Sequence, residues 1–410
     1  MARSRVRWFA WVLALLCGWF GLRVAPSHHF QTEAAQWLRD DARQRQLARS
    51  VNAGLPRVSA DSFTTGAALF DGEWAFGTGV MAALGNAQLA LQSPGTRAWT
   101  LTATDRALTQ ATSWEIRAFD RERWGSDPID EPDPARAHVA YLGYVNLALS
   151  LRSALGRSEH DALGEHLTQR LVDAYAASPA LLLETYPGEH YPVDNAMAIA
   201  SVALRGRVDE LRGDHPARAA QRRALAKRWT RAARLRYVDP RSGLLLQHAP
   251  PTVQDEPSTG LPRGSGSALA AFALNYVDDE LSAELQRALR KQLLDPVLGF
   301  GVLQEHPSNV PWRDRRSDID SGPLLFGYSI SASGFMVGAS RAHGDDGSFV
   351  NLMATFDLLG GLERREFPDG VRRSFVSGGP LADAIMLAML TAPPHHDVGA
   401  LLERASREAP

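Results

Sequence analysis

Cysteine is nearly absent from this sequence, since Cys17 is the only one among 410 residues. A single cysteine excludes an intrachain disulfide, a zinc site built from cysteines and an iron–sulfur cluster. Cys17 also lies within an apolar N-terminal stretch, which argues against a catalytic thiol. Any chemistry must therefore be carried by other side chains.

A strong net charge is missing too. The 44 basic and 46 acidic residues give a formal net charge of −2 at pH 7, so we expect no binding of nucleic acid. Only Lys227 and Lys291 are lysines, and arginines scattered among carboxylates are typical of a solvated surface. The hydrophobic fraction of 45% and the charged fraction of 22% are those of an ordinary globular chain, which excludes a disordered chain and a multi-span transporter.

Motifs for cofactors and metals are also missing. Gly264-Ser-Gly266 has no third glycine at the dinucleotide-binding spacing, and no P-loop occurs. Gly327–Ser331 lacks the last glycine of a nucleophile elbow. No histidine or carboxylate spacing indicates a metal centre. We therefore predict neither a cofactor nor a metal.

The N-terminus resembles a targeting segment. Three arginines within Met1–Arg7 precede an unbroken apolar run, Trp8–Leu22, which is the pattern of a secretory signal or a membrane anchor. The residues Arg23–Ala25 make a poor cleavage site. We predict an uncleaved signal anchor over residues 1–27 that holds the remaining chain at the extracytoplasmic, periplasmic side of a membrane. Secretion is the alternative if the leader is cleaved.

One unit recurs roughly every 60 residues after the leader. Each unit has a loop rich in Gly, Pro, Asp or Trp, then an apolar stretch of small residues, then a more charged stretch. Apolar stretches such as Gly79–Leu91 are typical of buried helices, and charged stretches such as Glu159–Tyr175 are typical of outer helices. The six apolar stretches begin near Trp74, Arg136, Val193, Gly264, Gly322 and Pro380.

This alternation predicts an all-α fold. Six inner and six outer helices would form an (α/α)6 toroid, a single domain over residues 28–410. An irregular all-α domain or a helical solenoid is the alternative. Few strands are expected, and the best candidates are short segments at 243–247 and 299–303.

The loops before the inner helices would meet at one end of the toroid, its mouth. Carboxylates, aromatic residues and one histidine converge there, whereas the loops at the other end are plain turns. Neighbouring carboxylates can hold one acid protonated and another ionised, which is what general acid–base catalysis needs. The candidate residues are Trp74, Trp124, Asp127, Glu184, Tyr186, His190, Tyr191, Asp194, Asp318 and Asp320.

Structural roles compete with these chemical ones. Asp127, Asp318 and Asp320 precede predicted helices and could cap them. The tryptophans could pack in the core, and His190 could be a hydrogen-bonding loop residue. Asp194 is different, because it lies between a Tyr-Pro turn and a wholly apolar helix.

Part of the chain resembles a known family. Trp124–Asp130 followed by Tyr141–Leu147 is similar to a Gly-Thr-Asp-Pro-Ile loop and Gly-His-Leu-Asn-Leu helix of the linalool dehydratase–isomerase family. Glu184–Leu204 resembles that family's next loop and inner helix, and Asp239–Gly243 resembles its Asp-Pro-x-x-Gly turn. The likeness covers residues 113–290, and it implies an (α/α)6 fold.

The same resemblance bears on the site. In that family the loop before the third inner helix carries two cysteines that protonate and deprotonate a terpene alcohol. Glu184 and Asp194 stand at those places here, and Tyr144 stands where the family has a histidine. The resemblance therefore implies a conserved place for an acid–base pair, with carboxylates instead of thiols.

Together these observations predict a membrane-anchored extracytoplasmic enzyme that performs elimination, isomerisation or hydrolysis on a neutral terpenoid or sugar-like molecule. Asp194 would be the base, and Glu184 or Asp320 the acid. One alternative is a glycoside hydrolase or polysaccharide-processing enzyme of (α/α)6 fold, and another is a non-catalytic envelope binding protein. The predicted substrate-binding residues are Trp74, Trp124, Asp127, Tyr144, Tyr186, His190, Tyr191 and Asp318.

Overall fold

The computed structural model is mostly helical, which confirms the all-α class. It describes residues 2–251, 253, 258, 260–315, 317, 321–322 and 324–408. Along this described chain the helices are α1 (Ala2–Arg39), α2 (Ala42–Gly54), α3 (Ala68–Gln92), α4 (Arg97–Ala111), α5 (Ala118–Trp124), α6 (Val139–Ala154), α7 (Asp161–Ala177), α8 (Pro192–Arg212), α9 (Pro216–Ala232), α10 (Gly264–Leu274), α11 (Asp279–Gln292), α12 (Ile330–Ala342), α13 (Asp346–Gly360), α14 (Gly379–Leu390) and α15 (Val398–Glu408).

The N-terminal helix α1 contains the apolar run and continues without a break to Arg39. Its C-terminal half packs against α13. Across the described residues, no helix combines the length and the apolar character that a membrane crossing requires. The signal anchor over residues 1–27 stays a prediction.

Six helices form a closed ring. In the order α3, α6, α8, α10, α12 and α14, each contacts the next, and α14 contacts α3 again. Small side chains let the helices approach closely. A Cβ atom at Gly143 of α6 would lie 3.0 Å from the backbone nitrogen of Ala198 and 3.1 Å from the backbone oxygen of Asp194, both on α8.

The more charged helices cover this ring. Helices α4, α7, α9, α11 and α13 pack on α3, α6, α8, α10 and α12 respectively, and α2 packs on α14 and α3. Helix α11 illustrates why such a helix lies on the outside. Its residues Leu281, Leu285 and Leu289 are buried on one face, and its charged residues cover the other. The C-terminal helix α15 contacts α3, α6 and α8. The contacts therefore follow the predicted alternation for the first five inner helices. The sixth, α14, is covered by α2, which precedes the ring in the chain, and not by the helix that follows it.

Strands occur in the long loops. An antiparallel sheet consists of β1 (Leu294–Val297), β2 (Phe300–Gln304) and β3 (Tyr328–Ser329), with Leu303 opposite both Leu294 and Ser329. The strand expected near 299–303 is thus present. The segment 243–247 forms only isolated bridges, so that expected strand is wrong. The hairpin of β4 (Leu362–Phe367) and β5 (Gly370–Phe375) was not predicted.

Two helix starts also differ from expectation. The first inner helix begins at Ala68, not near Trp74, so Glu73 lies inside it. The fifth begins at Ile330, not near Gly322, because β3 extends the sheet up to Ser329. The Ser329 hydroxyl then accepts a hydrogen bond of 3.1 Å from the Ala332 amide and caps α12.

Candidate active site

Asp194 lies in the first turn of α8 and is only 8% exposed. Its Oδ1 accepts a hydrogen bond of 2.8 Å from the Tyr144 hydroxyl of α6, and its Oδ2 accepts one of 2.9 Å from the Thr185 hydroxyl. The helix N-terminus also favours a negative charge. The two hydroxyls and the helix therefore hold this carboxylate in a fixed orientation.

A second group contains Glu73, Tyr186 and Arg123. The Tyr186 hydroxyl donates to Oε1 of Glu73 across 2.7 Å. The Arg123 guanidinium lies 3.7 Å from the centre of the Tyr186 ring, and its Nη2 is 3.5 Å from Oε2 of Glu73. Burial raises the pKa of Tyr186 well above its ordinary value, and the charge of Glu73 raises it further. Tyr186 is therefore a neutral hydrogen-bond donor at neutral pH.

A short turn joins these two groups. Thr185 contacts Asp194, and the next residue, Tyr186, contacts Glu73. The Glu189 amide donates to the Tyr186 carbonyl across 2.8 Å, and Gly188 adopts a φ of 80° that favours glycine. The charge of Asp194 also contributes to the raised pKa of Tyr186. The turn thus brings carboxylates of α3 and α8 to the same end of the ring.

Glu184, His190 and Tyr191 lie on the same loop. His190 Nε2 is 4.0 Å from Oε1 of Glu184, whose side chain is 33% exposed. Burial lowers the pKa of His190, and its neighbour His248 lowers it further against the opposing charge of Glu184. The Tyr191 hydroxyl donates to the exposed Glu189 across 2.7 Å. His190 is therefore a neutral imidazole near neutral pH, beside a carboxyl that solvent can reach.

The two predicted tryptophans have mainly structural contacts. Trp124 is buried, and its ring stacks on His138 with centroids 4.5 Å apart. Trp74 is half-buried and packs edge-on against Phe63.

Asp127 has a contact of the same kind. It accepts a hydrogen bond of 2.7 Å from Nε of Arg117 and one of 2.9 Å from the Ile129 amide. The expected helix cap at Asp127 is wrong, because α6 begins only at Val139, but these contacts are structural and support a turn.

Asp318 and Asp320 lie outside the described residues, so the structure does not place these candidates. In the part of the chain that is described, no group of three or more His, Cys, Asp or Glu side chains is arranged to hold a metal ion.

Sequence analysis missed three members of the site. Glu73 lies in a segment that was expected to be a mouth loop but was not selected from it. Thr185 sits between two selected residues, and only its contact with Asp194 reveals its importance. Arg123 gives no sequence signal, because its partners Glu73 and Tyr186 are distant in the chain.

Comparisons with known proteins give little further guidance. No protein-family model matches the chain, and no curated protein matches it. Among solved structures, one described as a polysaccharide lyase is 14% identical, with a TM-score of 0.32. The alignment covers 65% of this chain and 74% of that one. At this TM-score the likeness carries no conclusion about activity.

Proposed function

We propose that the ring is an (α/α)6 toroid and that the chain is an enzyme with Asp194 as its general base. The observation that carries the proposal is the carboxylate of Asp194, which two hydroxyls orient just before the largely apolar stretch 196–204 of α8. Burying a charge there costs free energy unless it is paired. A fixed carboxylate is suited to removing a proton from a bound molecule.

Glu184 is the proposed acid. Its partly exposed carboxyl can exchange protons with solvent, and His190, 4.0 Å away, can pass a proton to it. In an elimination, Asp194 takes a proton from carbon while Glu184 protonates the departing hydroxyl, so that water leaves and a double bond forms. Tyr186, Glu73 and Arg123 would hold the loop that carries Glu184 in position. The resemblance of residues 113–290 to linalool dehydratase–isomerase supports this lyase or isomerase chemistry.

The location is part of the proposal. The basic flank and the apolar run of residues 1–27 support an anchor that holds the domain on the extracytoplasmic side. Carbonate washing of membranes from the expressing cells tests it. We expect the full chain to stay with the membranes and a chain lacking residues 1–27 to be washed off. Release of both chains would contradict the anchor.

A substrate screen tests the activity. The full chain is incubated separately with terpene alcohols and with oligosaccharides, and both thermal stability and product formation are measured. A ligand at 100 times its Kd stabilises the folded state by about 2.7 kcal/mol, which such a screen detects. We expect a terpene alcohol to stabilise the chain and to lose water. Turnover of sugars alone would favour the polysaccharide-processing alternative.

Two variants make the screen specific. Asp194→Asn keeps the shape of the side chain but removes the base, and we expect turnover to fall by about 10²- to 10⁴-fold. Asp130→Asn changes an exposed carboxylate in the loop before α6 and serves as the control. Equal turnover in the wild type and Asp194→Asn would overturn the proposal. Ligand binding without turnover in any of the three would favour a binding protein.

A further inference from the structure

A second cluster, distinct from Asp194 and its partners, joins α5 to the start of α6. Nδ1 of His138 lies 2.5 Å from Oδ2 of Asp120. Nε2 of the same ring lies 3.3 Å from the Ser126 hydroxyl. The three side chains thus form a continuous hydroxyl–imidazole–carboxylate chain, in the order that activates a serine nucleophile.

The surroundings fix the imidazole. Asp120 and His138 are both completely buried, and the Trp124 ring stacks on His138. In the tautomer that donates Nδ1–H to Asp120, which a general base requires, the Nε2 atom faces the hydroxyl as an acceptor. His138 also has a φ of 48°, in the left-handed region that is uncommon for residues other than glycine. Such backbone strain often occurs at functional sites.

The serine is more accessible than its two partners. Ser126 is only half-buried, and it follows Gly125, which has a φ of 71°. Within the described chain, neither the Ser126 amide nor the Asp127 amide donates to an acceptor. Two adjacent N–H groups beside a nucleophile are the donors that stabilise an oxyanion during acyl transfer.

We propose that Ser126 is a nucleophile for carboxylic esters, with His138 as its general base and Asp120 as the positioning residue. The Ser126 oxygen bonds to the ester carbonyl carbon while His138 Nε2 takes the hydroxyl proton. The ester C–O bond then breaks, and the same proton passes to the leaving alcohol. Water, deprotonated by His138, releases the acid and restores the serine.

One neighbour competes for the hydroxyl. Burial opposes ionisation of Glu131, but hydrogen bonds from Ser126 and the Asp133 amide, together with the charge of Arg136, hold the pKa of Glu131 below its usual value. Glu131 is therefore a second acceptor near the Ser126 hydroxyl, besides His138. Glu131→Gln weakens this competition, and we expect it to raise the reactivity of Ser126.

A fluorophosphonate probe tests the proposal on the full-length chain. An activated serine oxygen displaces fluoride from phosphorus and forms a stable adduct, which peptide mass spectrometry locates. We expect the adduct on Ser126 of the wild type, together with hydrolysis of p-nitrophenyl acetate. Ser126→Ala should lose both, and Asp120→Asn should slow labelling by about 10²- to 10⁴-fold.

The chain offers a matched control. The Ser282 hydroxyl lies 2.7 Å from Nε2 of His343, but Ser282 is completely buried. Ser282→Ala should therefore leave labelling of Ser126 unchanged. The adduct position in the wild type decides the matter even if a variant does not fold. A folded wild-type chain with no adduct on Ser126 would overturn the proposal, and so would equal ester hydrolysis by a folded Ser126→Ala chain.

Discussion

The Tyr186 hydroxyl donates a hydrogen bond of 2.7 Å to Glu73, a residue 113 positions earlier in the chain. This bond fastens the loop before α8 to the first inner helix. Arg123 covers the ring of the tyrosine and approaches the same carboxylate, so the contact is shielded from solvent. The loop that carries Thr185 and Glu184 is thereby held in place.

Removal of this hydroxyl should cost stability. We expect Tyr186→Phe to lower the free energy of unfolding by about 1.5–3 kcal/mol, the usual worth of a hydrogen bond to a charged group. Urea unfolding measures the difference. Tyr191→Phe is the control, since that hydroxyl bonds to an exposed carboxylate, and its effect should stay within about 0.5 kcal/mol. Similar losses in both variants would show that the Tyr186–Glu73 bond has no special role.

The close approach of α6 and α8 gives a second prediction. A methyl group at Gly143 would meet the α8 backbone at 3.0–3.1 Å. We expect Gly143→Ala to push the helices apart, to cost about 1–3 kcal/mol and to weaken the bond between Tyr144 and Asp194. Thermal unfolding and turnover measure the two effects. Gly347→Ala, where a methyl group would meet nothing within 4 Å, should change neither.

Stability should depend on pH through Asp357. Burial raises the pKa of Asp357 from 3.8 to about 7, although the charge of Arg43 opposes it. The folded chain therefore holds the proton at pH values where the unfolded chain has lost it. The proton on Asp357 therefore stabilises the folded chain. This stabilisation is fully present below about pH 4 and is lost as the pH rises through 7.

Asp357→Asn removes this titration. Both carboxylate oxygens of Asp357 are buried without hydrogen-bond partners in the described chain. We expect the variant to gain stability over the wild type between pH 5 and pH 8, by on the order of 1 kcal/mol or more. Urea unfolding at the two pH values measures it, with Asp130→Asn as the exposed control. Parallel curves for Asp357→Asn and the wild type would contradict the prediction.

A substitution at Asp127 distinguishes a structural role from a chemical one. It pairs with Arg117 and supports the turn at Ile129. We expect Asp127→Ala to lower the free energy of unfolding by about 1–3 kcal/mol while the turnover of folded protein is unchanged. Asp194→Asn should show the opposite pattern. A large loss of turnover in folded Asp127→Ala would restore Asp127 as a candidate for substrate binding.

The helical class and the order of the inner helices could be predicted from the sequence. Helix α10 and residues 196–204 of α8 are largely apolar on every side, and only a buried position accommodates such a surface. The hairpin β4–β5 was missed because its strands are short and charged, as in Leu362–Phe367. The start of α12 was misplaced because pairing of β3 with β2, a long-range contact, decides where the helix begins.

The candidate site was only partly accessible to the same reasoning. Grouping the loops before the inner helices selected Tyr186 and Asp194, and the family resemblance added Tyr144, which bonds to Asp194 in the structure. It did not reveal that Trp124 faces His138, because loop residues leave the direction of a side chain undetermined. Nor could spacing connect Arg123 with Glu73, since that contact depends on how α5 packs on α3.

Ring closure has a consequence for synthesis of the chain. The Thr391 hydroxyl, just beyond α14, contacts the Gly85 carbonyl 306 positions earlier. The ribosome therefore releases the apolar face of α3 long before the helix that covers it exists. Contacts of such large sequence separation form slowly and leave hydrophobic surface exposed meanwhile. We expect nascent chains that end before residue 379 to aggregate or to be held by chaperones until α14 emerges.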